Sequence, residues 1–138
     1  AVRNADIIIT ASTSKTPVFK ADWLQAGVHI NGVGSHKPDV RELDSDTVKR
    51  SKLVVDSRDA ALKEAGDILI PISEGVVSAE HIYAELGEVV AGLKPGRESR
   101  DEVILFKSCG LAIQDASAAR LIYDKAKAMG IGHDVSLL

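Results

Sequence analysis

His29-Ile-Asn-Gly-Val-Gly-Ser-His-Lys-Pro-Asp-Val-Arg-Glu-Leu43 opens on apolar residues, meets Gly32 and Gly34, and then runs into a charged segment containing Pro38. With Val28 in front, Ile30 and Val33 complete the composition of a buried strand, Val28 to Val33, that stops at a loop. In an open parallel sheet, small molecules lie beyond the carboxyl ends of the strands. Glycines expose backbone groups there, and the following loops supply side chains. His36, Lys37, Asp39, Arg41 and Glu42 are the polar groups that this stretch places at such an end.

Outward from that strand, other segments repeat its character. Asp6-Ile-Ile-Ile-Thr10 and Lys52-Leu-Val-Val-Asp56 are short apolar runs suited to strands buried on both faces. Glu102-Val-Ile-Leu-Phe-Lys107 supplies the last strand, and Asp67-Ile-Leu-Ile-Pro-Ile72 reads as a further one that Pro71 ends or pushes to the sheet edge. Helices are predicted between them: Lys20 to Ala26, closed by Gly27; Leu43 to Ser51, capped by Asp44 or Ser45; Ser57 to Ala65, stopped by Gly66. Ile82, Leu86, Val89, Val90 and Leu93 recur at helical spacing and predict a helix over Ala79 to Leu93, capped by Ser78. Ala112 to Met129 is a long helix ended by Gly130, with Ile113, Ala116, Ala119, Leu121 or Ile122, and Ala126 expected to face inward. Strands alternating with helices give the α/β class with a parallel sheet.

Composition narrows the function classes. The 138 residues make one domain, 1–138, with no repeat or dividing linker. A net charge of -3, with basic residues interspersed among acids, offers no stripe for nucleic acid. No apolar run approaches membrane-spanning length, and the amino terminus lacks a signal-peptide pattern. The single cysteine, Cys109, excludes an internal disulfide framework and makes the cytoplasm the expected compartment. The chain lacks an initiator Met and enters its first strand almost at once, which suggests a piece of a longer protein.

Chemistry-bearing residues are few. His29, His36, His81 and His133 have no ligand spacing with neighbouring acids, so no metal is expected. Cys109 reads as a small packing residue at a strand end, and Gly96 to Glu102 as a solvated charged turn. His36, following two glycines at a strand's carboxyl end, is the candidate for function. The glycine-rich G-x-G-x-x-G turn of a dinucleotide fold is absent, because Gly32-Val-Gly34 leads into Ser-His-Lys-Pro and not into a helix. Two readings stay open on the residues alone: a small complete α/β domain, or the second half of a dinucleotide-binding domain.

Five stretches in order resemble one family. Asp6-Ile-Ile-Ile-Thr-Ala-Ser12, His29-Ile-Asn-Gly-Val-Gly-Ser35, Pro38-Asp-Val-Arg-Glu-Leu-Asp44, Gly87-Glu-Val-Val-Ala-Gly-Leu-Lys-Pro-Gly-Arg-Glu98 and Phe106-Lys-Ser-Cys-Gly-Leu-Ala-Ile-Gln-Asp115 are similar to the ornithine cyclodeaminase and mu-crystallin family of NAD(P)-dependent oxidoreductases, which includes archaeal-type alanine dehydrogenases and ketimine reductases. The resemblance implies the back half of a Rossmann-like NAD(P)-binding domain. The first strands and glycine-rich turn would lie upstream, together with an N-terminal domain that builds a homodimer and supplies substrate-binding residues. It also implies NAD or NADP as cofactor and a small amino or imino acid as substrate, while this chain alone would be inactive.

By the same resemblance, Thr10 and Ala11 would approach the cofactor. Ile30, Asn31, Gly32 and Val33 would line its nicotinamide half, with Gly32 permitting close approach, Ser108 would contact the ring, and Cys109 would border the substrate. The cyclodeaminase pattern G-x-D-x-P-G-K reads here Gly34-Ser-His36-Lys-Pro-Asp39-Val40, so histidine stands in place of that pattern's acid-base aspartate, and its following glycine and lysine are lost. A neutral imidazole cannot hold an ammonium by charge, although it can pass a proton. His36 is therefore the expected catalytic and substrate-facing residue, and alanine dehydrogenase or ketimine reductase chemistry is favoured over ornithine cyclisation. The alternatives are a non-catalytic NAD(P)- or small-ligand-binding protein of the mu-crystallin type and a self-contained interaction module.

Overall fold

Five parallel strands carry the molecule: β1 (Ile7–Thr10), β2 (His29–Gly32), β3 (Lys52–Val55), β4 (Ile82–Glu85) and β5 (Ile104–Lys107). They stand in the order β1-β2-β5-β3-β4 in a computed structural model that describes residues 1–136. Because side chains alternate along a strand, each contributes to two faces. Ile8, Ile30, Leu105, Leu53 and Val55 share one face and form the core with Phe19, Leu24, Leu43, Val48, Ala61, Ala65 and Ile68. Helices α1 (Ser45–Arg50), α2 (Arg58–Glu64) and α3 (Gly66–Ser73) supply four of these partners or their flanks.

The opposite face is only partly covered. The segment from α4 (Leu86–Val90) to Arg97 arches over it and encloses a groove of about 480 Å³ between Leu86, Val89 and Pro95 on one side and His29, Asn31 and Phe106 on the other. Lys52 fastens this arch, its ammonium donating to the Gly96 carbonyl at 2.8 Å and pairing with Glu98 at 2.6 Å and Glu102 at 3.2 Å. The turn expected to be merely solvated is therefore tied down. Over β1 the same face is open, with Ile9 67% exposed.

Four elements depart from the sequence reading. Residues 67–72 lie in α3 and not in a strand. Asp67, Ile68 and Pro71 are buried with Ile72 packed beside them, a one-sided helical spacing, and Pro71 is tolerated inside so short a helix. The fourth strand is instead β4, where Ile82 and Ala84 alternate inward, so the helix expected over Ala79 to Leu93 is a strand followed by the short α4. Lys20 to Ala26 holds only a 3-10 turn, Ala21–Trp23. Helix α5 (Ala112–Met129) has the expected bounds but buries none of its residues; Ile113, Leu121 and Ile122 face outward because no described element lies against them.

Candidate functional site

All five strands end on one row. Thr10 pairs with Gly32, Gly32 with Lys107, Lys107 with Val55 and Val55 with Glu85. The first residues beyond this row continue the ladder: Val33 N–H donates to Thr10 at 2.9 Å, Ser108 N–H to Gly32 at 3.0 Å, and Asp56 N–H to Lys107 at 3.3 Å. Ala11, Val33 and Ser108 thereby arrive side by side at the carboxyl edge, with Ala11 and Val33 exposed and Ser108 half-buried.

Asp56 fixes one of the three loops there. Its Oδ2 accepts from the Ser108 hydroxyl at 2.8 Å, Cys109 N–H at 3.0 Å and Gly110 N–H at 2.9 Å, while Oδ1 accepts from Ser57 N–H at 2.8 Å. One carboxylate thus sets the turn after β5. Cys109 lies half-buried against the core, where burial pushes its thiol up and the nearby Lys107 charge only partly offsets this. It is held as a thiol at neutral pH, which suits contact and not nucleophilic attack.

Glu42 fixes the other two loops. Its carboxylate has no exposed surface and accepts from Ser12 N–H and the Ser12 hydroxyl, each at 2.6 Å, and from Gly34 N–H at 2.9 Å. Burial pushes Glu42 up, but the Ser12 bonds, with contributions from Thr10 and Gly34, outweigh it and hold the carboxyl below its ordinary value. The buried Thr10 hydroxyl makes no aligned hydrogen bond itself; its dipole merely favours the ionised carboxylate. Gly34 is required by this approach, since a Cβ there would lie 2.4 Å from the Ser12 carbonyl and 2.5 Å from Glu42 Oε1. Gly66 is required likewise, its Cβ position being 1.9 Å from the Val40 carbonyl; packing, and not helix termination, is its role.

His36 is exposed at the tip of this loop. Its Nδ1 lies 3.1 Å from the Gly34 carbonyl, which can only accept, so Nδ1 carries a proton and Nε2 is left facing outward. An imidazole so oriented can take up or release a proton at Nε2.

The expected residues separate into two sets. Ala11, Val33, Ser108, Cys109 and His36 belong to loops at the carboxyl edge. Ile30 is wholly buried in the core, Thr10 and Gly32 are buried on the helix-covered face, and Asn31 lies on the opposite face 3.3 Å from His29. The Cβ position of Gly32 meets Leu43 and Lys107 side-chain atoms at 3.4 and 3.5 Å, so its space is used by Lys107, and Gly34 is the glycine of close approach. Sequence reasoning missed Asp56, Asp67 and Lys107. Their signal is that each is a charged residue at or beside an otherwise apolar element, where charge needs a partner. Among the described residues no group of three or more His, Cys, Asp or Glu is placed to hold a metal ion, and no helix is long and apolar enough to cross a membrane.

Comparison with known proteins agrees with this architecture. A Δ1-pyrroline-2-carboxylate reductase of Bacillus cereus is 47% identical over 136 residues, covering 98% of this chain and 42% of that protein. The ketimine reductase mu-crystallin of Macropus fuliginosus is 48% identical over 124 residues, 90% of this chain and 37% of that one. The structure of Thermococcus litoralis Δ1-pyrroline-2-carboxylate reductase in complex with NADH and L-proline superposes with a TM-score of 0.91 at 54% identity, over 97% of this chain and 42% of that chain. The chain thus spans less than half the length of these relatives. With the family's sequence profile matching residues 1–130, the chain belongs to the ornithine cyclodeaminase/mu-crystallin family.

Proposed function

We propose that this chain is the carboxy-terminal part of the cofactor domain of an NAD(P)-dependent reductase acting on a cyclic imino acid of the pyrroline-2-carboxylate class. The reading rests on a level strand edge whose three loops are fixed by two carboxylates, the buried Glu42 and the half-buried Asp56, in a family whose relatives act on carbon-nitrogen bonds. The remaining part of the cofactor site, a substrate-binding domain and a homodimer interface are assigned to a preceding N-terminal portion of the protein.

The residues at the edge fit the nicotinamide half of such a cofactor. Val33 offers an apolar surface between two polar loops, and Ser108 stands beside it in the turn that follows β5. The pyrophosphate half finds no glycine-rich turn in this sequence. Bound nicotinamide supplies the hydride. The protein's own residues supply orientation and a proton. Val33 and the Ser108 turn position the reacting face, Cys109 borders the substrate, and His36 releases a proton from Nε2 to the imine nitrogen as the carbon gains hydride; in the reverse direction it accepts that proton from the amine.

The test is steady-state turnover of the full-length protein with NADH and with NADPH, on Δ1-pyrroline-2-carboxylate and on pyruvate with ammonia. His36→Ala is expected to lower kcat by about 10²–10⁴ with cofactor affinity retained. Full activity in that variant removes His36 from the chemistry. A protein that binds cofactor and turns over nothing is a binding protein.

A further inference from the structure

Three ionisable side chains without exposed surface lie together beneath the loop that carries His36. Lys107, the last residue of β5, donates to the Ser35 carbonyl at 2.5 Å and sits 3.1 Å from Asp67 Oδ2. Asp67, in the first turn of α3, accepts from Glu42 N–H at 2.7 Å and Leu43 N–H at 2.9 Å through Oδ1. Glu42 reaches back to Ser12 and Gly34. Apart from the Lys107–Asp67 pair, nearly every bond of the three ends on a backbone group of an irregular loop.

Filling a core does not need such groups. Buried charges are costly, and a well-packed apolar set of similar volume would serve the sheet as well or better. What apolar side chains cannot do is satisfy the amide groups of a loop that has no ladder of its own. The three charges hold residues 34, 35, 42 and 43, Ser35 Oγ holds Val40 at 2.7 Å, and Gly66 N–H holds Lys37 at 3.1 Å. His36, Lys37, Pro38 and Asp39 are left as an exposed tip. Lys107 is also followed directly by Ser108, and its carbonyl receives Asp56 N–H, so it joins both loops of the proposed reaction edge.

We infer that Lys107, Asp67 and Glu42 form a positioning assembly that fixes the His36 loop relative to the Ser108 turn. This rests on the reading of His36 as the proton-transfer group. None of the three touches substrate; they act through the loop.

The experiment uses the full-length protein with Lys107→Met combined with Asp67→Asn, which removes both charges while keeping an acceptor for the Glu42 and Leu43 amides, and Glu42→Gln separately. Amide hydrogen exchange over 33–43 is expected to quicken at least ten-fold, with β3 and β4 unchanged. NADH affinity is expected to stay within three-fold while kcat on the imino acid falls ten-fold or more. Unchanged exchange over 33–43, or an unchanged kcat per NADH-binding molecule, overturns the proposal. Should the double variant not fold, Glu42→Gln, which alters one atom, decides it by the same exchange comparison. Should the unmodified protein show no turnover, the functional reading fails, and exchange alone decides the positioning role.

Discussion

Glu42 sets an acid limit on this fold. Its folded-state value lies below the ordinary 4.5, because the hydrogen bonds from Ser12 and Gly34 outweigh the effect of burial. A carboxyl lowered on folding contributes stability that is fully present above the unfolded value and is lost as pH falls through the folded one. Urea midpoints of the full-length protein should therefore decline below about pH 4.5, and Glu42→Gln should flatten that decline while lowering the midpoint at neutral pH. Parallel curves for the two proteins would show that Glu42 does not carry the response. The charge of Glu42 was legible in the sequence as a group near the ligand edge; its inward direction was not. A Glu between Arg41 and Leu43 looks solvated until Ser12, thirty residues away, and Gly34 are brought onto it.

At the scale of the element, Asp44 ties two segments with one side chain. Oδ1 accepts from Thr47 N–H at 2.9 Å and caps α1, while Oδ2 accepts from Ala21 N–H at 3.0 Å and anchors the 3-10 turn. Asp44→Ala should cost about 2 kcal/mol, a cap of about 1 and a second bond of similar size, measured as a urea-midpoint shift; a cost near zero would show both bonds replaced by water. The capping half of this was readable, since Asp before an apolar-periodic run is a helix-start signal. Strands β1, β2, β3 and β5 were readable too, as apolar runs bounded by polar loops. β4 was not, because Ile82 of a strand and Leu86 and Val89 of the next helix fall by coincidence at helical spacing. The Ile68 to Ile72 run failed for a related reason: five apolar residues are too few for periodicity to separate strand from helix.

For the whole molecule, the sheet has one finished face and one unfinished one. Ile7 and Ile9 on β1 are 63% and 67% exposed, and among the described residues β1 has a partner on only one side. Helix α5 adds Ile113, Leu121 and Ile122, all exposed, with no described element against them. Apolar surface of this extent beside an open strand edge favours association. Expressed by itself, the 138-residue chain should sediment with an average mass that rises with concentration; a constant monomer mass would mean these surfaces do not attract one another. The spacing of the apolar residues of α5 could not show this, since it is that of an ordinary packed helix; only the resemblance to a longer protein raised the prospect of exposed apolar surface.

The level strand edge, with its loops held from below, also bears on how this protein could be remade. The anchors at Gly34, Ser35, Val40 and Glu42, and the backbone anchor at Lys37, are independent of the side chains at positions 36 to 39. With His36 kept, Lys37, Pro38 and Asp39 form a cassette beside it. A designer could exchange these three, length for length, to sample new specificities while the scaffold beneath keeps its shape.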